Sequence, residues 1–195
     1  MAFALDYLGD GRNYGTLLAP DADPSTGERE MVTTMLDSYR ADRSRVRAVA
    51  RAGLDVMLAH SNADSTRVAA IGYCFGGMMV IEMARGDLDV KAVVAYHPSF
   101  PKPAPEETKT ITAKVLVCTG TDDPYGPTDE RHAFEAELTA AGVAGWRIEL
   151  YGGVGHSFTD VNSEGRFPGV GYDAAADRRS WQSTLDLLEE TIGPV

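Results

Sequence analysis

RVAAIGYCFGG, residues 67–77, is the stretch on which the fold turns. Val68 to Ile71 form a short apolar run without alternation, as a strand covered on both faces requires. Gly72-Tyr73-Cys74-Phe75-Gly76-Gly77 follows and opens onto MMVIEMAR, so a G-x-C-x-G-G motif sits where a strand ends and a helix begins. Such a turn lifts its apical side chain, here Cys74, above the sheet. Gly72 and Gly76 are expected to permit it, because bulkier side chains would collide. Cys74 then stands at a helix N-terminus, whose dipole favours thiolate over thiol. The Phe75 amide is expected to point into the same space as a donor to a developing oxyanion. Taken alone, the stretch also admits a buried structural cysteine beside a glycine-rich turn.

Outward from this motif the same pattern repeats. KAVVAY at 91–96 and KVLVC at 114–118 are further apolar runs, and with strands near 2–6, 67–72 and 146–151 they alternate with helical segments near 29–59, 75–85, 128–141 and 172–191. Alternation of this kind predicts an α/β doubly wound, mostly parallel sheet in a single domain over 1–195. Val46, Val49, Ala50, Gly53, Leu54, Met57 and Leu58 follow one helical face, with Arg43, Arg47 and Arg51 off it. Trp146, Ile148 and Leu150 alternate with Arg147 and Glu149, which places that strand towards an edge with one wet face. Thr128, followed by Asp129 and Glu130, suits a capped helix start, and Gly193 with Pro194 a helix stop. The Gly9–Gly27 loop and the Pro-rich 98–108 stretch are loops within the domain.

Two later loops carry the partners a cysteine nucleophile needs. VLVCTGTDDPYGP places Asp122 and Asp123 just past the C-terminal end of a strand, the edge where open α/β sheets bind ligands. YGGVGHSF places His156 in a glycine-rich loop after the next strand, on the same edge. The chain order is nucleophile, acid, histidine. Singly, paired aspartates solvate turns and lone histidines lie at surfaces; jointly they read as a Cys74, Asp123, His156 triad. Asp123 is preferred to Asp122 because an Asp-Pro step follows the acid in such loops. His60 and His132 read as surface residues, and His97, beside Pro98, as a candidate for the pocket wall. Tyr7, Tyr73, Tyr125 and Phe158 are candidate pocket residues, with loop packing as the equal alternative.

The 195 residues carry 29 acidic and 18 basic side chains, a net charge of -11, which argues against nucleic acid or an anionic membrane as partner. Small neutral substrates remain open. No run approaches the roughly 18 apolar residues a membrane span needs, and the N-terminus lacks a basic, signal-like segment. Two cysteines in unlike contexts build no disulfide framework, which fits a reducing cytoplasm. No cluster has zinc-ligand spacing, so no metal is expected. Nothing in the sequence reads out an oligomeric state.

FALDYLGDG at the start, GYCFGG, LVCTGTDDP, YGGVGHSF and the C-terminal GYDAAADRRSWQSTLDLLEE together resemble the dienelactone hydrolase family of α/β-hydrolases, over nearly the whole chain. The resemblance implies a cofactor-free cysteine hydrolase of lactones or esters that works through a thioester. Family members acting on dienelactone itself carry arginine four residues after the catalytic histidine. Here that residue is Asp160, which would repel an anionic substrate and favours a neutral one. FALDYLGDG resembles the fourth strand of the fold, so three strands and a helix, with a second oxyanion donor and a thiol-ionising glutamate, are expected to lie in a longer chain. Supply of the missing strand by another chain, or closure of the sheet without it, are the other accounts. Two other functional readings stand beside the enzyme: a non-catalytic binding remnant of the fold, and a thiol redox sensor, for which the turn offers no resolving cysteine.

Overall fold

The computed structural model of the chain describes residues 1–7, 28–163 and 167–194. Its contacts divide it into two units, Met1–Ala63 and Asp64–Val195. In the first, the helix expected over 29–59 is two: α1 (Glu28–Ala41) and α2 (Arg43–Leu58). Asp42 makes the break. Its backbone is extended, and its side chain accepts from the Ser44 and Arg45 amides at 2.9 and 3.2 Å, so it caps α2. The stripe read from the sequence is the buried one, with Val46, Ala50, Gly53 and Leu54 inside. Residues 1–7 form no strand, against expectation. A strand needs a ladder partner for its amides and carbonyls, and this segment is instead held by side chains. Leu5 lies so close over α2 that a Cβ at Gly53 would come within 2.7 Å of it, and the Tyr39 hydroxyl donates to the Tyr7 carbonyl at 2.8 Å. The Gly9–Gly27 loop lies outside the described residues.

The second unit is built on β1 (Ala69–Tyr73), β2 (Ala92–Tyr96), β3 (Lys114–Gly120) and β4 (Trp146–Tyr151), all parallel and in the order β1-β2-β3-β4. Between and after them run α3 (Phe75–Arg85), α4 (Pro105–Thr108), α5 (Thr128–Ala140) and α6 (Ala174–Ile192). Register pairs Tyr73 with Tyr96 and Tyr96 with Cys118, so β1 and β2 end level while β3 runs on past them to Gly120. All five residues of β2 are buried, as in a central strand. Among the described residues β1 and β4 are the edges, and each leaves apolar groups exposed: Ile71 and Tyr73 on β1, Leu150 on β4. The clean alternation expected of β4 fails at that point. Leu150 faces out while Glu149 is half-buried, held by the Tyr151 hydroxyl at 2.7 Å and by Arg147 at 3.3 Å.

Helix ends follow the sequence less uniformly. Gly193 caps α6 at φ 78, a left-handed conformation that favours glycine. Thr128 is the first residue of α5 rather than its cap; Pro127 holds the cap position without a side-chain bond, and Asp129 and Glu130 occupy the first turn as read. The one-turn helix α4 within the Pro-rich stretch was not foreseen; proline at its first position suits a helix start. The core on the α6 side of the sheet comprises Val94, Tyr96, Leu116 and Cys118 with Phe158, Ala176 and Leu187. Burial pushes the Cys118 thiol up to about 12, so it stays protonated.

Arg85 ties the opposite side together. Fully enclosed at the end of α3, it donates to Glu82 at 2.8 Å, to both Glu137 oxygens at 3.0 Å and to the Thr108 hydroxyl at 3.1 Å. Glu137 also accepts from the Ala104 amide at 2.9 Å, so one ion cluster joins α3, α4 and α5. Removing the cation would strand two buried carboxylates. Arg85→Met is therefore expected to cost about 3–5 kcal/mol in urea unfolding; a loss below about 1 kcal/mol would mean that water reaches the cluster.

Candidate active site

Cys74 sits at φ 54 and ψ -116, a conformation that non-glycine residues adopt only when their surroundings force it. The forcing contacts are explicit. The Cys74 amide donates to the Tyr96 carbonyl at 3.0 Å, and the Cys74 carbonyl accepts from the Gly77 amide at 3.0 Å as α3 begins. A Cβ at Gly72 would lie 2.0 Å from the Gly76 carbonyl oxygen, so only glycine lets the strand and the first turn of the helix approach this closely. Gly76 differs from expectation. A Cβ there meets nothing within 4 Å, whereas one at Gly77 would press on Pro98 at 3.0 Å. The residues that admit the turn are thus Gly72 and Gly77. Phe75 is the first residue of α3, directly after the thiol.

Two loops from neighbouring strand ends close on Cys74. Past β3, the Asp122 amide donates to the Val154 carbonyl at 3.0 Å, joining the acid loop to the histidine loop. Asp122 is exposed, its carboxylate turned to the Thr121 hydroxyl at 2.7 Å. Asp123 points inward and is 4% exposed, with the Tyr125 amide donating to it at 2.8 Å. His156 is clasped by a turn that the sequence reading passed over: its amide donates to the Gly169 carbonyl at 2.8 Å and its carbonyl accepts from the Gly171 amide at 3.0 Å. Gly169 and Gly171, four and two residues ahead of the Asp173 cap of α6, were the available signal.

The side chains meet in line. His156 Nδ1 lies 2.9 and 3.0 Å from the two Asp123 oxygens, and Nε2 lies 3.1 Å from Cys74 Sγ. Burial alone would depress the imidazole, but the Asp123 carboxylate and the Cys74 sulfur outweigh it and raise His156 to about 9. The imidazole can thus hold a proton between sulfur and carboxylate at neutral pH.

The proposed pocket residues divide. Tyr73 and Tyr125 are each about half exposed (47%), and both edge the site: Tyr73 stacks on Tyr96 at 4.7 Å, and Tyr125 meets the His156 ring at 4.8 Å. Phe158 is fully buried in the sheet core against Tyr151 and His97, so it offers no surface to a substrate. Tyr7 belongs to the first unit. His60 and His132 are exposed, as read. His97 is 2% exposed and packs edge-on against His156, 4.8 Å between ring centres, so it lies behind the site rather than in its wall. A cleft of about 280 Å³ opens beside the two loops, bounded by Gly153, Gly155, Gly169 and Tyr172 with Asp122 and Asp173. Among the described residues, no three His, Cys, Asp or Glu side chains converge as metal ligands, and no helix is long and apolar enough to cross a membrane.

With this geometry in view, comparison with known families is decisive: the model of the dienelactone hydrolase family matches residues 6–192. The chain belongs to the dienelactone hydrolase family. As a member it is a hydrolase acting on ester bonds, with the family's α/β-hydrolase fold. It is 31% identical over 137 residues to an uncharacterized protein of Caenorhabditis elegans, a match covering 66% of this chain and 83% of that protein. It is also 32% identical over 93 residues to the hydrolase pyvD of Aspergillus violaceofuscus, covering 47% of this chain but only 36% of the fungal protein. Among solved structures, a dienelactone hydrolase-like promiscuous phosphotriesterase from metagenomic libraries superposes with a TM-score of 0.78 at 36% identity, over 83% of this chain and 67% of that one.

Proposed function

We propose that the protein hydrolyses small neutral esters or lactones through Cys74, with His156 as base and Asp123 as the group that orients it. The observation that carries the reading is the unbroken line from Asp123 through His156 to the sulfur, 2.9 Å and then 3.1 Å. In the first half-reaction His156 Nε2 holds the Cys74 proton while the sulfur attacks the carbonyl carbon. The carbonyl π pair moves to oxygen, and in this reading the amide of Phe75, the first residue of α3 after the thiol, is the donor to that charge. Collapse breaks the bond to the alcohol oxygen, which takes the proton from His156 and leaves a thioester. Water then attacks the thioester carbonyl and gives its proton to His156. The second collapse expels the thiolate and frees the acid.

Asp160, four residues past His156 and half-buried with its carboxylate accepting from the Asn162 amide at 2.9 Å, bears on the charge of the substrate. A carboxylate there disfavours an anionic acyl group, and half-exposed Tyr125, 4.8 Å from the His156 ring, and Tyr73, next to Cys74 in the chain, offer aromatic surface. The phosphotriesterase relative adds a second class of neutral electrophile that the same thiolate could attack. The test is to quench a reaction with an activated p-nitrophenyl ester in acid and map the acyl group by mass spectrometry. The adduct is expected on Cys74 and absent from Cys74→Ala; turnover with no adduct on this peptide would reject a cysteine nucleophile. Parallel turnover of a neutral phosphotriester measures the breadth of the site.

A further inference from the structure

A second imidazole sits against the first. His97 follows β2 directly, at φ 36, where a β-substituted residue is strained by about 1–3 kcal/mol. Its amide donates to the Cys118 carbonyl at 2.7 Å, while the preceding Tyr96 carbonyl receives the Cys74 amide. The residue is therefore pinned between the cysteine turn and β3. Its ring stands edge-on to His156 at 66° and to Phe158 at 83°, with centres 4.8 and 5.2 Å away. Nε2 meets the Thr159 hydroxyl at 3.0 Å, and Thr159 is the third residue after His156 in the same tight turn. Among the described residues Nδ1 is buried and has no partner.

We propose that His97 is a positioning residue for His156: its ring sets the tilt of the base, and its bond to Thr159 fixes the turn that carries it. Phenylalanine would fill the same space but could not reach the threonine. A buried nitrogen left unpaired costs free energy, and this one is tolerated beside the candidate active site. The two imidazoles are also unlike in proton affinity. Burial and the neighbouring His156 depress His97 to about 3, so it stays neutral and does not compete for the Cys74 proton.

This inference rests on the reading of His156 as the base, and its test separates the two. A glutamine at 97 can place its amide where Nε2 lies and reach Thr159, whereas asparagine is too short. His97→Asn and Thr159→Val are each expected to lower kcat for p-nitrophenyl acetate roughly tenfold, with KM changed less than about twofold. The double variant should be no worse than either single, and His97→Gln should retain most activity. The rate of Cys74 alkylation by iodoacetamide should follow the same order without requiring turnover, since Cys118 is fully buried. Equal losses in Gln and Asn, independent losses in the double variant, or losses confined to KM would overturn the positioning role. If alkylation follows the expected order while the wild-type protein turns over no ester, the positioning role stands and the esterase reading fails.

Discussion

Asp123→Asn is expected to lower kcat by about 10⁴-fold while leaving the protein folded, the size of effect that loss of the orienting carboxylate has in serine hydrolases. The carboxylate faces His156 Nδ1 with both oxygens, at 2.9 and 3.0 Å, so it can only accept, and the ring must carry its proton on that side. Nε2 is then free to receive the proton of the sulfur 3.1 Å away. An amide in the same place can turn its NH₂ towards Nδ1 and hold the opposite tautomer, in which Nε2 bears hydrogen and cannot act as base. Asparagine also keeps an oxygen for the Tyr125 amide, which preserves the loop. Asp122→Asn is the control. Exposed, with its carboxylate on the neighbouring Thr121 hydroxyl, it is expected to change kcat by less than about threefold. Steady-state rates with unfolding midpoints alongside decide the matter; a near-normal Asp123→Asn enzyme would remove the carboxylate from the mechanism.

The second large effect is on stability. His156 is raised in the folded protein from 6.5 to about 9, so the folded state binds that proton more tightly than the unfolded chain does. Its contribution, about 3 kcal/mol at 1.36 kcal/mol per pKa unit, is complete below pH 6.5 and lost as pH rises through about 9. His97 has the opposite sign. Its folded value is depressed from 6.5 to about 3, so the unfolded chain takes up the proton first and stability falls by about 5 kcal/mol as pH drops from 6.5 towards 3. Two rings in contact thus contribute slopes of opposite sign to the pH profile, one on its alkaline and one on its acid side. Urea unfolding across pH should show His156→Gln flattening the alkaline flank and His97→Gln the acid flank. Profiles that run parallel to wild type would show that neither ring titrates as its surroundings dictate.

Much of this architecture is legible in local patterns. The runs at 67–72, 91–96 and 114–119 become β1 to β3 because unbroken Val, Ile, Leu and Ala suit a doubly covered sheet, and the alternating stretch 146–151 becomes β4 at its edge. Cys74, Asp123 and His156 stand out because glycine-rich turns at the C-terminal ends of parallel strands expose side chains over one edge. What was misread concerns contacts that pattern does not encode. Residues 2–6 have strand composition but no ladder partner among the described residues. Gly76 and Gly77 are interchangeable in a motif, and only the approach of Pro98 distinguishes them. Phe158 lies two residues from His156, yet the turn at Ser157, φ 58, sends its ring into the core.

The sequence by itself determined a parallel α/β sheet and the order of the three loops that carry sulfur, carboxylate and imidazole. Those features rest on hydropathy period and turn chemistry, which act within a few residues. The Asp-Pro step already favoured Asp123 over Asp122; the tertiary structure alone decided that Phe158 turns into the core, and that His97 and Thr159 stand behind the imidazole. Those choices depend on how side chains from β2, β3 and the segment after β4 pack together once the strands are in register.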